Sequence, residues 1–269
     1  MPYFLLVLEG AHDAAFFGTL LRYQGFERVK LRSEVDTFWE KLIPTQFPAD
    51  PKGRLDHVVR YPDVYEFPGE NRRSVAIIVS GGDSRLVPEF QVALEILDIS
   101  RLRAAAIVSD ANDIGVAARL AQILDGLTEV NTDGTDNAVP GFPLTLPHAP
   151  GFADGNPRIG IHILPDNVSA GTLETILLEC AITSYPRYRQ PAIDLVALIN
   201  QSCPLDLAEL QSLRRGAGPH KATVGIIGNL LFPGSALSVS VDRGSWLDPV
   251  TNTEVGLVAA RRFLDSLFS

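Results

Sequence analysis

Apolar runs and helical apolar patterns alternate along the first two-thirds of the chain. Four runs are almost continuously apolar, as strands buried on both faces are. They cover residues 3–9, 74–80, 104–109 and 158–164. The segments that follow them repeat apolar residues every three or four positions, which predicts helices. These cover residues 14–21, 87–97, 116–127 and 169–182. The alternation predicts an α/β fold with a mostly parallel sheet flanked by helices.

Two stretches interrupt this alternation and are predicted to be irregular insertions. They are residues 28–72 and residues 128–157, the second of which is rich in Gly, Pro, Asn and Asp. Within the first, the spacing of apolar residues over Val35–Ile43 predicts a short amphipathic helix. The prolines and glycine of residues 44–53 predict a loop after it.

The strand patterns stop near residue 184, and helical patterns continue over 191–231 and 255–268. We therefore predict an α/β domain over residues 1–184 and a mainly helical region over residues 185–269. The alternative is that this helical extension packs back on the same core.

Composition limits the kinds of protein this chain can be. Of its 269 residues, 46% are apolar, which is enough for a substantial core and excludes a disordered chain. No apolar run approaches the roughly 20 residues of a membrane-spanning helix. The first run is too short for a signal sequence and lacks a basic segment before it, so we expect a cytoplasmic protein with no membrane partner. The net charge of −9 argues against a surface that binds nucleic acid as a whole.

Cysteine and histidine usage gives no sign of a zinc site. The two cysteines, Cys180 and Cys203, are far apart and form no CxxC pair, so we expect small apolar residues in or near the core. The five histidines are scattered and have no zinc-ligand spacing.

Acidic residues follow the predicted strands where each strand ends. Glu9 and Asp13 follow the first run, and Asp110, Asn112 and Asp113 follow the third. Glu174 comes soon after the fourth. The carboxyl ends of parallel strands meet at one edge of a sheet, where open α/β folds build their sites.

Carboxylates that converge at one edge repel each other. At an effective dielectric of about 20, each close pair costs about 4 kcal/mol. A divalent cation relieves this repulsion, and all-oxygen ligands favour Mg²⁺ or Mn²⁺ over zinc. The six residues are therefore predicted metal ligands. The alternatives are structural: Asp110 and Asp113 as helix caps, and Glu174 as an acid that complements a helix dipole.

The three acidic segments resemble the motifs of the TOPRIM (topoisomerase–primase) superfamily. The similar segments are Leu8-Glu9-Gly10-x-x-Asp13, Asp110-x-Asn112-Asp113 and Gly171-x-x-Glu174, and the likeness is greatest to compact TOPRIM-like proteins related to the OLD-type nucleases. The resemblance covers about residues 1–184 and implies a Rossmann-like sheet and Mg²⁺-dependent chemistry on phosphodiester bonds. It implies that Glu9 is a metal ligand or general acid/base, and that Asp13 pairs with it.

One position departs from that family pattern. The second acid of the DxD motif would fall on residue 112, which is Asn. An Asn carbonyl oxygen can bind a metal ion but brings no charge, and Asp113 stands one residue later. This departure argues against a full two-metal site and leaves open a one-metal site or an inactive descendant.

Basic residues gather in the predicted helical extension. They are Arg187, Arg189, Arg214, Arg215, His220 and Lys221. One interpretation is a track for nucleic-acid phosphates beside the acidic site, and the other is a solvated surface. Lys221 begins a predicted helix and would neutralise charge on a phosphoryl transition state. The TOPRIM resemblance implies the same catalytic role, because such proteins often carry a lysine after the core.

The loop Ser80-Gly81-Gly82-Asp83-Ser84 follows a predicted strand and opens a helix. Its backbone N–H groups could bind phosphate, although it is neither GxGxxG nor a Walker A loop. The alternative is a tight turn with a capping Asp or Ser.

Three functions remain in competition. The first is a Mg²⁺-dependent nuclease or a related phosphotransfer enzyme. The second is an inactive TOPRIM-like protein that binds a nucleotide or a partner such as a separate ATPase. The third is a hydrolase of small phosphorylated molecules.

Overall fold

The computed structural model of the chain describes residues 1–43, 62–204, 207–248 and 253–269. The strands are β1 (Tyr3–Leu8), β2 (Glu27–Arg28), β3 (Asp63–Phe67), β4 (Arg73–Val79), β5 (Leu102–Asp110), β6 (Gly151–Ala153) and β7 (Arg158–Leu164). The helices are α1 (Ala11–Tyr23), α2 (Leu86–Ile96), α3 (Gly115–Asp136), α4 (Leu173–Ser184), α5 (Pro186–Ser202), α6 (Gly218–Leu231), α7 (Leu237–Arg243) and α8 (Val255–Phe268). The predicted α/β class is confirmed.

The strands form one mixed sheet in the order β2-β3-β4-β1-β5-β7-β6. The four central strands, β4, β1, β5 and β7, are parallel, and β2, β3 and β6 run antiparallel to their neighbours. Leu5 in β1 is level with Ala76 in β4 and Ala105 in β5. The four strands predicted from apolar runs are these four central strands, because only strands covered on both faces are apolar throughout.

Alternate residues of the central strands enter two separate cores. On one face, residues such as Leu6 and Val108 pack with α1, α4, α6 and α8. On the other face, Leu5 and Ile107 pack with α2 and α3. This division follows from the alternating direction of side chains along a strand.

The predicted helix over Val35–Ile43 is wrong. That stretch contains only a short 3₁₀ turn over Glu40–Leu42, and the preceding turn covers Arg32–Glu34. Its apolar residues are nevertheless buried, because Phe38 stacks on the Tyr3 ring with centroids 4.0 Å apart and Trp39 Nε1 donates to Ser74 Oγ at 2.8 Å. The predicted loop over 44–53 lies wholly outside the described residues.

The second predicted insertion is partly regular. Helix α3 continues to Asp136, well past the predicted end at residue 127, because its buried face continues through Val130. Asn131 then binds the following segment: its amide nitrogen donates to the Leu144 carbonyl oxygen, and its Oδ1 accepts the Leu144 N–H. The chain returns through β6, which pairs with β7.

The helices after residue 184 pack on the sheet and its flanking helices. Helix α8 lies against β5, β6 and β7, and α7 lies against α1. Side chains of α8, among them Leu257, Phe263 and Leu264, belong to the same buried cluster as Phe4 and Leu6 of β1. Across the described ranges, no helix combines the length and the apolar character that crossing a bilayer requires.

Candidate metal centre at the carboxyl edge of the sheet

The strand order places the predicted acids at the switch point of the sheet. After β1 the chain builds the strands on one side of β1, and after β5 it builds those on the other side. The connections that leave the adjacent strands β1 and β5 therefore run to opposite sides of the sheet. Ligand sites of open α/β sheets lie at such a point, outside the carboxyl ends of the strands. Glu9 directly follows β1, and Asp110 is the last residue of β5.

Four carboxylates converge here, and we call them the acidic edge. They are Glu9, Asp13, Asp110 and Glu174. The side chains of the last three are buried, with relative exposures of 7%, 8% and 5%. Burial, and after it the negative charge of neighbouring carboxylates, raises the pKa of both Asp13 and Asp110. The fold therefore places these four acids within electrostatic reach of one another, and their role as metal ligands stays a prediction.

Glu9 is the least buried carboxylate of the acidic edge. Burial raises its pKa, and the charge of Asp83 adds to that effect, whereas Arg119 and Lys221 oppose it. Ser109 Oγ lies 3.4 Å from Glu9 Oε2, a long contact for a hydroxyl donor. A ligand that reaches the edge from solvent meets Glu9 first.

Asp13 makes a capping hydrogen bond and has a raised pKa. Its Oδ2 accepts the Gly10 N–H at 2.7 Å, which caps the first turn of α1. Burial, together with the charges of Glu9 and Glu174, raises the pKa of Asp13 to about 7, although the Gly10 hydrogen bond acts in the opposite direction.

Asp110 joins β5 to the start of α4. Its Oδ1 accepts the N–H of Leu173, the first residue of α4, at 2.9 Å. Asp110 therefore does cap a helix, but the helix is α4 and not the one that follows it in sequence. Burial and then the charge of Asp13 raise the pKa of Asp110 well above its ordinary value.

Glu174 is the one carboxylate of the acidic edge whose pKa is lowered. Burial would raise its pKa, but donors from His12 and Thr172 and the charge of Lys221 outweigh burial and lower it. Thr172 Oγ1 donates to Glu174 Oε2 at 2.8 Å, and His12 Nδ1 lies 3.9 Å from Oε1. Glu174 also lies in the first turn of α4, where a helix dipole favours an acid.

Asn112 and Asp113 lie beside the acidic edge in different surroundings. Asn112 has left-handed backbone geometry, with φ at 50°, and forms an isolated bridge in which its N–H donates to the Gly171 carbonyl oxygen at 2.8 Å. Asp113 is exposed and faces Gly216, where a methyl group would come within 2.7 Å of its Oδ2. The bridge holds the β5 end against the segment that leads into α4.

The residues of the predicted basic cluster have different roles in the fold. Arg214 is used within the fold: it donates to the Asn200 side chain and to the Cys203 and Pro204 carbonyl oxygens after α5. Lys221 is exposed in the first turn of α6, and its charge reaches both Glu9 and Glu174. Lys221 is thus the predicted cation that the fold brings to the acidic edge.

Sequence reasoning missed Arg119 of α3. Its side chain is 9% exposed, its Nε donates to the Asp110 carbonyl oxygen at 3.0 Å, and both terminal nitrogens lie 3.3 Å from Asp83 Oδ2. The available signal was a lone arginine in register with the buried Ile123, Leu127 and Val130 stripe. Asp83, in the loop over residues 80–84, is therefore the ion-pair partner of Arg119.

The donor chemistry of the acidic edge fits a hard divalent cation, because every charged donor is a carboxylate oxygen. Three of these carboxylates, Glu9, Asp13 and Asp110, have raised pKa values that a cation would lower by replacing protons. Among the described residues, however, no three His, Cys, Asp or Glu side chains are arranged to hold a metal ion. Cation binding at this edge therefore requires the carboxylates to draw closer together.

A family match covers most of the α/β region just described. The family whose description is protein of unknown function (DUF3226) matches residues 3–207. The chain belongs to this DUF3226 family. The match includes the acidic edge and ends after α5, so α6 with Lys221 lies beyond it.

Structural comparison supports the fold. The crystal structure of a hypothetical protein from Pyrococcus horikoshii OT3 has a TM-score of 0.52 and 18% sequence identity, and the alignment covers 100% of this chain and 98% of that chain. No curated protein matches the sequence. The TOPRIM resemblance and the nuclease function stay predictions.

Proposed function

We propose that this DUF3226 protein is a Mg²⁺- or Mn²⁺-dependent enzyme of the TOPRIM type that cleaves phosphodiester bonds in nucleic acid. The observation that carries this proposal is the acidic edge at the β1/β5 switch point, where burial and then neighbouring charges raise the pKa of Asp13 and Asp110. Buried like charges of this kind are unfavourable unless they serve a ligand or a reaction.

The residues divide into a reactive group and supporting groups. Glu9 is the carboxylate open to solvent, and its raised pKa suits a group that takes a proton from water and returns it to the leaving oxygen. A bound divalent cation would neutralise charge and lower the pKa of a water molecule. Asp13, Asp110 and Glu174 would hold that cation, and the Asn112 carbonyl and Asp113 are the neighbouring oxygen donors.

Positive charge beside the acidic edge favours an anionic substrate. Lys221 projects from the N-terminal turn of α6, and that helix end also attracts negative charge. A substrate phosphate between Glu9 and Lys221 would place the developing transition-state charge next to the Lys221 ammonium group.

A cleavage assay on the full-length chain tests this function. Single- and double-stranded DNA and RNA are incubated with Mg²⁺, Mn²⁺ or EDTA, using wild type, Glu9→Gln, Asp110→Asn and the control Asp125→Asn, an exposed acid of α3. We expect metal-dependent cleavage that falls by about 100-fold or more in the two edge variants and is unchanged in the control. Circular dichroism verifies that the variants fold, and cleavage that survives both edge substitutions would contradict the proposal.

Asn112 supports a second candidate, a protein that binds a nucleotide or a partner such as a separate ATPase without catalysis. Residue 112 supplies no charge, and its backbone is held in the bridge to Gly171. Calorimetry with Mn²⁺ separates the two functions: the enzyme requires binding that Glu9→Gln weakens, whereas no binding at millimolar Mn²⁺ favours the second candidate.

A further inference from the structure

A groove between three helices lies next to the acidic edge. It is formed by α4, α5 and α6 and has a volume of about 500 Å³. This volume falls within the range of small-molecule sites, about 300–1,000 Å³. The groove is separate from the four carboxylates, none of which lines it.

The groove has an apolar wall with a few polar groups around it. Leu178 and Val196 form part of the wall and are almost fully buried. Asn200 and Glu179 lie along it, and the Asn200 Oδ1 already accepts a hydrogen bond from Arg214 Nε at 2.9 Å. Asn200 therefore offers the groove its amide N–H donors, and Glu179 offers carboxylate acceptors. An apolar wall with one donor and one acceptor group suits a flat heterocycle.

Helices α4 and α6 connect the groove to the acidic edge and to Lys221. Thr175 lines the groove and directly follows Glu174 in the first turn of α4. His220 lines the groove and directly precedes Lys221 in the first turn of α6. A ligand in the groove thus lies near Glu174 of the acidic edge and near Lys221, which is one of the two residues on either side of the proposed phosphate position.

Cationic groups are placed to receive the phosphate end of such a ligand. Arg189 lines the groove, and within the described part of the chain its side chain makes one hydrogen bond, from Nε to the Leu178 carbonyl oxygen at 2.9 Å. Its two terminal nitrogens remain donors. Arg189 thus gives the groove a cationic group that can bind an anion, and Lys221 follows the groove residue His220 in sequence.

We propose that the α4–α5–α6 groove binds the base of a nucleotide unit whose phosphate lies at the acidic edge. This inference rests on the proposed function for the position of the phosphate, and it adds the substrate class: a nucleotide with its base unstacked, as in single-stranded nucleic acid. The base lies on the Leu178 and Val196 wall beside the His220 imidazole, and its edge meets Asn200 and Glu179. Double-stranded substrates would need to release a base first.

Filling the groove tests this inference. Ala197 lines the groove and is exposed, so Ala197→Trp places an indole in the groove without replacing a core residue. Ala121→Trp, at an exposed alanine of α3 that does not line the groove, is the matched control. His220→Ala removes the imidazole as a second, smaller change.

Binding of AMP and of ribose 5-phosphate to the full-length protein is measured by calorimetry in the presence of Mg²⁺. We expect AMP to bind at least about 10-fold more tightly than ribose 5-phosphate, since stacking of one base supplies that much affinity. We expect this advantage to disappear in Ala197→Trp, to fall in His220→Ala and to persist in Ala121→Trp. Equal affinity for the two ligands, or AMP binding that Ala197→Trp leaves intact, would overturn the inference.

Cleavage kinetics separate this inference from the proposed function. With single-stranded oligonucleotides, Ala197→Trp should raise KM about 10-fold with little change in kcat, because the base contacts act on binding. If wild type cleaves but the KM of Ala197→Trp is normal, the groove inference fails and the proposed function stands. If AMP binding depends on the groove but no substrate is cleaved, the proposed function fails and the base site stands.

Discussion

The Arg119 guanidinium reaches across the end of β1 to the Asp83 carboxylate. Asp83 follows β4 and Asp110 ends β5, and β1 lies between these strands. By donating to the Asp110 carbonyl oxygen and to Asp83 Oδ2, Arg119 ties the two flanks of Glu9 together. The buried end of this bridge is neutral backbone and the half-exposed end is Asp83, so its two ends should respond differently to substitution.

Replacing Arg119 should destabilise the protein more than replacing its ionic partner. Arg119→Gln removes donors to a buried carbonyl oxygen, and we expect a loss of about 2 kcal/mol in the free energy of unfolding. Asp83→Asn should cost less than about 1 kcal/mol, because the Asp83 side chain is 51% exposed. Urea denaturation measures both values, and equal losses would show that the ion pair, rather than the backbone contact, is what matters.

Acid should destabilise the protein through His162. This residue of β7 is fully buried, its ring nitrogens have no hydrogen-bond partner among the described residues, and it stacks on Phe263 with centroids 4.7 Å apart. Burial lowers its pKa to about 4, from 6.5 in a free histidine. The unfolded chain therefore takes up a proton first, and stability falls as the pH drops from about 6.5 towards 4, by up to about 3 kcal/mol.

Thermal unfolding from pH 7.5 to 4 measures this effect. His162→Leu should flatten the fall in unfolding temperature between pH 6.5 and 4, whereas His148→Gln, at an exposed histidine, should not. If the unfolding temperature of His162→Leu fell as steeply between pH 6.5 and 4 as that of wild type, other groups would be responsible for the pH dependence.

The two cysteines should differ in reactivity. Cys180 is buried in α4, and burial raises its pKa to about 12, so almost no thiolate is present at neutral pH. Cys203 is partly exposed after α5. A thiol reagent should label one equivalent in the native protein and two in guanidinium chloride. Rapid native labelling of both would show that α4 opens readily.

The first 184 residues should not fold alone. Without residues 185–269, the face of the sheet that packs on α8 and the α1 surface that packs on α7 lose their cover. Apolar surface of that extent favours association or a loosely packed state. We expect a 1–184 fragment to lack the cooperative thermal transition of the full chain and to bind a hydrophobic dye, and a sharp transition in the fragment would establish an independent domain.

Much of the fold was predictable from local patterns. The central strands are continuously apolar because helices cover both faces of the sheet, so the run Leu5–Val7 already indicates a strand. Each covering helix has one apolar stripe, so the spacing within Phe90–Leu94 already indicates a helix. The apolar spacing of Val35–Ile43 predicted a helix that does not form. Phe38 and Trp39 are apolar because they pack on Tyr3 and Ser74 in the tertiary structure, not because they form the buried face of a helix.

The acids of the site were predictable, but their roles were not. Glu9 and Asp110 could be placed at the carboxyl ends of buried strands from the chain alone, because a continuous apolar run is a local feature. The cap that Asp110 makes on α4, the exposure of Asp113 and the position of Arg119 opposite Asp83 follow from the tertiary fold, since they depend on residues from separate elements. Burial and neighbouring charge then set the ionisation of each carboxylate, and both depend on how the whole chain packs.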